Sequence, residues 1–246
     1  MTNRNSIVGK RVLVTGGTTG IGRATVAMLA KEGAQVLTLG RHQSSLDEAL
    51  AEATGGAGTA DGLIADVASK EDMDRVFAAV DGKLGGIDLL VTCAAIGAEP
   101  LHEMAEDDWR QVIETNLIGT LAAARRAIPR MDAGGGGQLI LVGSISVEIE
   151  KPGESVYAAT KAGIQAFAET LHKEVADKNI KVSVIQPGSV ATPMQECSAD
   201  EKAQAIAKHE MLFADEVAEA ILFTATRSER ADIVNLRIEP VRQKIN

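Results

Sequence analysis

The sequence predicts an α/β protein with one doubly wound parallel sheet of about seven strands and helices on both faces. The alternation of two kinds of segment along the chain leads to this prediction. Short apolar runs alternate along the whole chain with longer segments in which apolar residues recur every three to four positions. Strands that alternate with helices favour right-handed βαβ units, and therefore a parallel sheet. The chain has 246 residues, and its flexible glycine link at residues 134–137 is followed at once by another strand of the same type, so we expect a single domain over residues 1–246.

Hydrophobic periodicity places the elements in chain order. The strands are short runs rich in Val, Ile and Leu, and most helices have one polar face. The helix after the third strand begins at Ser69, with Asp72 three residues later, which is a capping-box pattern. We expect strands over residues 11–15, 35–39, 59–65, 87–92, 138–142, 180–186 and 233–238, and helices over 23–33, 43–54, 69–81, 107–131, 215–226 and from Tyr157 onward.

Composition and charge argue against several classes of function. Apolar residues make up 45% of the chain, which is ample for a core, and aromatic residues only 2%. The formal net charge of −9 argues against nucleic-acid and membrane-surface partners, because both require a basic face. Cys93 and Cys197 provide neither a disulfide framework nor a metal cluster. Because residues 1–10 lack an apolar leader and no run has membrane-spanning length, we expect a cytoplasmic protein without a metal.

A glycine-rich turn, residues 15–22, lies between the first strand and the first helix. Such a turn presents backbone N–H groups and the positive end of a helix to a pyrophosphate, and glycines permit the close approach. Glycine-rich turns also occur without a ligand, but this position between strand and helix favours dinucleotide binding. The candidate cofactor-binding residues are Thr15, Gly16, Thr18, Thr19, Gly20, Ile21 and Gly22.

The end of the second strand indicates which dinucleotide binds. A carboxylate there accepts the ribose 2′-hydroxyl of NAD, whereas an arginine suits the 2′-phosphate of NADP. Residues 38–41 contain no acid and end in Arg41, so we expect NADP(H), with NAD as the less favoured cofactor. Arg23 and His42 are expected to add positive charge. The alternative is that Arg41 merely caps a loop.

Small residues follow the fourth strand, and a serine follows the fifth. Cys93, Ala94 and Ala95 leave room for a ligand at the carboxyl end of a strand, although a tight loop explains them equally well. Ser144 comes directly after the strand at residues 138–142, where its hydroxyl can hydrogen-bond a substrate oxygen.

Tyr157 and Lys161 are four residues apart in a predicted helix, so their side chains share one face. We expect the lysine cation to lower the pKa of the tyrosine toward neutrality, which would make it a general acid/base. This spacing occurs in many helices by chance, and the surrounding motifs give it significance. Asn116 lies within the long helical pattern over residues 107–131, where asparagine has only modest helix propensity, and it is either functional or a helix-contact residue.

Together these motifs resemble the short-chain dehydrogenase/reductase family over about residues 8–240. Residues 15–22 match its TGxxxGIG motif, and Asn116, Ser144, Tyr157 and Lys161 match its catalytic tetrad. The resemblance implies a Rossmann-like fold, Lys161 on the nicotinamide ribose, Asn116 fixing a water in a proton relay, and a homo-oligomer, either tetramer or dimer. It also implies adenine contact at Asp66 and Val67, and nicotinamide contact at Pro187, Gly188, Val190 and Thr192.

Three features distinguish the chain within this resemblance. Residues 92–95, Thr-Cys-Ala-Ala, replace the common Asn-Asn-Ala-Gly, which removes an amide partner of the adenosine. Residues 231–240 replace a glycine-rich ending and resemble the branch that acts on small hydroxy acids and aldehydes. Residues 188–212 form either a substrate lid or a plain surface helix. Separately, the side chains of Glu148, Glu150 and Glu154 would disfavour anionic substrates if they face the substrate pocket.

We therefore expect an NADP(H)-dependent oxidoreductase that transfers hydride between nicotinamide and a carbonyl or secondary alcohol, with Tyr157 as general acid/base. One alternative is a reductase of 3-oxoacyl groups on an acidic carrier protein, with a basic patch supplied by Arg125, Arg126 and Arg130. Another is a non-catalytic NADP(H)-binding sensor, against which the complete tetrad argues.

Overall fold

A computed structural model of the chain describes residues 5–149 and 151–243. The described strands form one parallel sheet and confirm the predicted fold class. They are β1 (Arg11–Thr15), β2 (Gln35–Gly40), β3 (Thr59–Ile64), β4 (Leu89–Thr92), β5 (Gly137–Val142), β6 (Ile180–Pro187) and β7 (Asn235–Ile238). Their order in the sheet is β3-β2-β1-β4-β5-β6-β7.

Eight α-helices connect the strands within the described residues. They are α1 (Gly20–Lys31), α2 (Gln43–Glu52), α3 (Lys70–Ala79), α4 (Glu106–Ile113), α5 (Gly119–Ala133), α6 (Ser155–Glu174), α7 (Ala199–Ala207) and α8 (Ala214–Ala225). Within that part of the chain, no helix has the length and apolarity needed to cross a membrane.

The sheet separates two apolar cores, because side chains alternate between its faces along each strand. Leu13 of β1 packs in the core that includes residues of α3, α5 and α6. Its neighbours Val12 and Val14 pack in the opposite core, with residues of α1 and α8 and with Ala53, which follows α2. Both cores are predominantly aliphatic, and Phe77 is the largest side chain that is almost fully buried.

The strand order creates a crevice between the ends of β1 and β4. The chain proceeds from β1 outward to β2 and β3, and then returns to β4 on the other side of β1. Open α/β sheets bind ligands at such a reversal, outside the carboxyl ends of the strands. The segments that follow β1 to β6 all begin at this edge of the sheet, and they contain nearly all the predicted site residues.

Two local predictions differ from the structure in more than the position of a boundary. The single α-helix expected over residues 107–131 is wrong, because a π-helical turn, Glu114–Ile118, separates α4 from α5. The predicted capping box at α3 is only half formed. Ser69 accepts a hydrogen bond from the N–H of Asp72, but the Asp72 carboxylate accepts from the N–H of Asp66 at 2.8 Å.

Candidate functional site

The first turn of α1 has the properties of an anion-binding helix end. Thr19 is its N-cap residue but makes no side-chain cap hydrogen bond, and the first turn contains no acidic residue. By contrast, Ser69 caps α3 and Ser198 caps α7, and both of those helices have acids in their first turns. The start of α1 therefore keeps backbone N–H groups that no capping side chain satisfies, as a pyrophosphate site requires.

Close backbone approaches explain two glycines of this turn. Gly16 has a φ of +67°, and a Cβ on it would lie 2.5 Å from the Cα of Ala94, which follows β4. A Cβ on Gly22 would lie 2.1 Å from the carbonyl oxygen of Gly16. Only glycine allows the turn to pack against the end of β4 and against the start of α1. The turn and the uncapped helix together fit a dinucleotide.

The predicted adenosine side contains one exposed cation and one acid. Arg41 follows β2, is exposed, and makes no ion pair with the residues that the structure describes. Arg23 does not add the expected free charge, because its guanidinium forms ion pairs with Glu48 at 2.9 Å and Glu52 at 3.3 Å. Asp66 follows β3, and its carboxylate accepts the N–H of Ala68 at 2.9 Å.

The Cys93 thiol lies between the glycine-rich turn and the predicted catalytic residues. Its N–H donates to the carbonyl of Thr15 at 3.0 Å, and its side chain packs on the core formed with α1. Burial raises the pKa of the thiol to about 12, against the opposing influence of the Lys161 charge and a hydrogen bond with Thr25. Cys93 is therefore a neutral, mainly apolar group close to Lys161.

The Ser144 hydroxyl contacts Tyr157, and Ser146 in turn hydrogen-bonds to Ser144. Ser144 follows β5, and its Oγ accepts hydrogen bonds from the N–H of Ser146 at 3.1 Å and from the Ser146 hydroxyl at 2.6 Å. Burial raises the pKa of Tyr157 to about 12, while its hydrogen bond with Ser144 lowers the pKa and the charge of Glu154 raises it. A hydroxyl that accepts two hydrogen bonds is a better donor to the phenolic oxygen.

Lys161 is buried beside Tyr157, but it is directed toward the backbone. Its Nζ donates to the carbonyl of Val142 at 2.8 Å and lies 5.5 Å from the centre of the Tyr157 ring. Burial lowers the pKa of Lys161 to about 8, and the nearby Cys93 opposes this shift. The expectation that Lys161 brings the pKa of Tyr157 toward neutrality differs from the structure, because burial of the phenol outweighs any attraction by the ammonium group.

Asn116 lies in the π-helical turn and joins the segment after β4 to α6. Its Oδ1 accepts the N–H of Ile96 at 2.8 Å, and its Nδ2 donates to the Ile96 carbonyl at 2.9 Å and to the Thr160 hydroxyl at 3.3 Å. Thr160 in turn donates to the carbonyl of Tyr157 at 2.7 Å. The side chain of Asn116 thus fixes the position of backbone and side-chain groups on two elements that border the site.

The segment after β6 reaches the glycine-rich turn. A Cβ on Gly20 would lie 3.1 Å from the Thr192 side chain, so Thr192 lies over the start of α1. Val190 is buried and forms a bridge with Leu212. The N–H of Gly188 donates to the carbonyl of Ile238 on β7, while Pro187 ends β6. Thr192 therefore borders the glycine-rich turn, while Pro187 and Gly188 lie at the end of β6 on the same edge of the sheet.

Charged residues near the site are largely engaged with one another. Glu148 pairs with Arg237 at 2.9 Å and Glu154 with Lys151 at 3.3 Å, while Glu150 lies outside the described residues. Neither described glutamate is therefore an isolated negative charge.

Two of the three arginines in the predicted basic patch on α5 form ion pairs with aspartates. Arg126 and Arg130 each form a 2.7 Å ion pair with an aspartate, Asp74 and Asp81 respectively. Of the three arginines, only Arg125 is exposed and without an ion pair in the part of the chain that the structure describes.

Sequence reasoning missed two contributors to this arrangement. Thr160 links Asn116 to the backbone of Tyr157, and its place directly before Lys161 in the tyrosine helix is the only signal that the sequence offers. The carbonyl of Val142 anchors Lys161, and nothing in the sequence identifies a particular carbonyl as a partner.

Comparisons with known proteins agree with this geometry. The profile of the short chain dehydrogenase family matches residues 10–203. The chain is 36% identical over 224 residues to the 3-oxoacyl-[acyl-carrier-protein] reductase FabG of Thermotoga maritima, covering 89% of this chain and 91% of that protein. It is 32% identical over 194 residues to the human dehydrogenase/reductase SDR family member 4, covering 78% and 70% of the two chains.

A solved structure agrees with the whole fold. A short-chain type dehydrogenase/reductase from Mycobacterium marinum superposes with a TM-score of 0.86 at 28% identity, covering 96% of each chain. The family profile, the curated relatives and the sheet topology agree. The chain belongs to the short-chain dehydrogenase/reductase family and is an NAD(P)-dependent oxidoreductase.

Proposed function

We propose that this protein interconverts a small carbonyl compound and the corresponding secondary alcohol with NADP(H), using Tyr157 as the proton donor and acceptor. The observation that carries the proposal is the series of hydroxyl groups from Ser146 through Ser144 to Tyr157, with the Lys161 ammonium beside the phenol ring. This is a proton-transfer group with its supporting donors already arranged.

The dinucleotide, when bound, supplies or accepts the hydride, which is chemistry that no side chain provides. Residues 15–22 and the start of α1 are suited to its pyrophosphate, and Arg41 to a 2′-phosphate. Asp66 and Val67 border the proposed adenine position. The segment from Pro187 to Thr192, together with Lys161, borders the proposed nicotinamide position.

In the reductive direction, Tyr157 gives its phenolic proton to the carbonyl oxygen, and in oxidation it removes the proton from the alcohol. The Ser144 hydroxyl has a single proton, which it donates either to the substrate oxygen or to the phenolic oxygen, and it thereby stabilises whichever of the two carries the developing negative charge. The charged form of Lys161 stabilises the phenolate. Asn116 contributes by holding Ile96 and Thr160 in place.

The whole chain acts as one catalytic domain in this proposal. Residues 188–212 cover the substrate, and the protein is cytoplasmic. It is also a homo-oligomer, as the family resemblance implies. Light scattering coupled to size-exclusion chromatography tests the oligomer directly, since a monomeric mass at enzyme-assay concentration contradicts it.

A second candidate function is reduction of 3-oxoacyl groups on an acyl carrier protein. The T. maritima relative and a 33% identical Haemophilus influenzae relative are both named as such reductases. The ion pairs of Arg126 and Arg130 with Asp74 and Asp81 leave little free positive charge on α5 for an acidic carrier. Parallel assays with a carrier-linked 3-oxoacyl group and with small ketones of the same chain length decide between the two.

Changing Tyr157 to Phe tests the central assignment. We expect turnover to fall by roughly 10²–10⁴-fold, the usual contribution of a positioned acid/base group. Dinucleotide affinity, followed by fluorescence titration, should stay within about twofold because the ring is retained. Wild-type turnover in this variant would refute the role of Tyr157. A matched control is Phe167→Leu, on the same helix and packed against the core away from the hydroxyl groups, which should retain turnover.

A further inference from the structure

The C-terminal residues 238–243, here named the C-terminal strap, contact the loop that follows β6. The Gln243 side chain makes two hydrogen bonds to Ser189: its Oε1 accepts the Ser189 N–H at 2.9 Å, and its Nε2 donates to the Ser189 hydroxyl at 3.2 Å. The preceding residue of the loop, Gly188, donates its N–H to Ile238 at 2.8 Å. The two ends of the strap therefore contact Gly188 and Ser189, where the segment 189–212 begins.

The strap also touches the far end of that segment. The N–H of Arg242 donates to the carbonyl of His209 at 2.9 Å. The two ends of the segment are themselves joined, since Leu212 donates to the Ser189 carbonyl and Ala191 to the Leu212 carbonyl, both at 2.9 Å. The strap thus fastens a closed loop at its base.

The close fit at Gly188 is a second, independent sign of this contact. A Cβ on Gly188 would lie 2.3 Å from the Gln243 Oε1 and 2.9 Å from the Cδ of Pro240. Pro240 is buried, whereas its neighbour Val241 is 91% exposed. Glycine at position 188 is required here by the tail that packs on it, and not by a positive φ.

The helix within the segment depends on its ends for position. α7 contains no buried residue, so it lacks the apolar face that anchors the other long helices. With little core packing, the orientation of α7 is set by the hydrogen bonds at Ser189, His209 and Leu212.

We propose that the C-terminal strap holds the segment 189–212 in place over the substrate, with Gln243 as a positioning residue. The link to substrate rests on the function proposed above, whereas the mechanical link between Gln243 and the segment does not. The strap includes residues of the ending that departs from the family's glycine-rich pattern, and it gives that departure a physical role.

Amide hydrogen exchange, measured without nucleotide or substrate, tests the mechanical link. In Gln243→Ala, the amides of Ser189, Ala191 and Leu212 should exchange about tenfold faster, because two hydrogen bonds at the base of the loop are lost. Gln243→Glu keeps an acceptor for both the N–H and the hydroxyl of Ser189, and should restore most of the protection. Val241→Ala, in the same strap but on an exposed side chain, should exchange like the wild type.

Unchanged exchange at these amides in Gln243→Ala, or an equal increase in Val241→Ala, overturns the proposal. Gly188→Ala should raise exchange at the same amides, and its combination with Gln243→Ala should be less than additive because both changes break one contact. If the effects of Gly188→Ala and Gln243→Ala on amide exchange are instead additive, the proposed role of the strap is contradicted.

Steady-state kinetics test the link to substrate. Gln243→Ala should raise KM for the carbonyl substrate several-fold with kcat within about twofold, and Gln243→Glu should reverse the effect. If Gln243→Ala shows fast amide exchange but a wild-type KM, the role of Gln243 in positioning the segment over the substrate is refuted, and the mechanical link alone is supported. Absence of turnover in the wild-type protein refutes the proposed function and leaves the exchange result to decide the strap.

Discussion

The Nζ of Lys161 lies 2.8 Å from the carbonyl oxygen of Val142, the last residue of β5. The ammonium group is therefore fixed to the edge of the sheet from which Ser144 also extends. Lys161 is 3% exposed, and the cost of burying its charge is what lowers its pKa. A lysine in this setting changes its charge near pH 8.

The first prediction concerns the pH dependence of nucleotide capture. Burial lowers the pKa of Lys161 to about 8, so the side chain is cationic below that pH and neutral above it. We expect kcat/KM for the nucleotide to fall above pH 8 and to approach a tenfold loss per pH unit, since this parameter reports groups of the free enzyme.

Lys161→Arg is the matched control, because arginine remains charged throughout the accessible range. Its residual activity should be lower but should not decline near pH 8. A decline at the same pH in this variant would mean that another group is titrating.

The second prediction concerns stability and the ion pair at the opposite end of the sheet. Asp88 precedes β4 and accepts hydrogen bonds from the Arg11 guanidinium at 2.7 and 3.0 Å and from the Arg11 N–H at 2.8 Å. Burial raises the pKa of Asp88, but these bonds outweigh it, and the net pKa lies below the usual value. Asp88→Asn should lower the free energy of unfolding at pH 7 by about 1–3 kcal/mol.

The sign of the pH dependence follows from the lowered pKa. The stability that ionised Asp88 contributes is fully present above the pKa of an aspartate in the unfolded chain, about 4. It is lost as the pH falls through the lower pKa that Asp88 has in the folded protein. Urea unfolding at pH 7 and near pH 3 should therefore show a smaller difference between Asp88→Asn and the wild type at the lower pH. A difference that grows on acidification would contradict the assignment to this pair.

Periodicity was sufficient to predict the sheet because most strands are compact apolar runs bounded by turns or polar helices, while β3 and β7 mix apolar with polar residues. β4 and β7 begin two residues later than expected, since Ile87 and Ile233 are apolar but lie outside the ladder. The order of motifs also identified the site edge, because the segments after parallel strands must meet there.

What the sequence did not predict depends on single atoms in three dimensions. The π-helical turn at Asn116 replaces a regular turn in a pattern that otherwise continues smoothly, and hydrogen bonds to Ile96 from another segment accompany it. The pKa of Tyr157 depends on burial, which spacing along a helix does not reveal. Gln243 has no pattern around it that indicates contact with Ser189, 54 positions away.

The third prediction concerns nucleotide preference. Arg41 is the exposed cation directly after β2, and Arg23 is neutralised by Glu48 and Glu52. Arg41→Ala should weaken NADPH binding by roughly 10- to 100-fold, since hydrogen bonds to charged groups contribute about 1.5–3 kcal/mol. NADH binding should change less than twofold, as measured by fluorescence titration.

Arg110→Ala controls for the loss of an exposed arginine, because Arg110 pairs with Glu106 on the surface of α4. If the wild-type protein binds NADH as tightly as NADPH, the preference for NADP(H) is wrong, whatever the effect of Arg41→Ala.

The last prediction separates positioning from stability at Thr160. Thr160 is 1% exposed, and its hydroxyl accepts a hydrogen bond from Asn116 and donates one to the Tyr157 carbonyl. Thr160→Val keeps the shape but removes both hydrogen bonds, so the free energy of unfolding should fall by about 1–2 kcal/mol. We also expect kcat to fall about tenfold with little change in KM, because the backbone that carries Tyr157 loses its link to Asn116.

Thr224→Val provides the matched comparison. Thr224 is also 1% exposed and donates to the Ala220 carbonyl within α8, far along the chain from Tyr157. Thr224→Val should lower the free energy of unfolding by a similar amount and leave kcat unchanged. Thr160→Ser retains the hydroxyl and should restore kcat even where stability stays reduced by the missing methyl group. If Thr160→Val and Thr224→Val affect kcat equally, Thr160 is only a structural residue, because a general loss of stability would then account for both results.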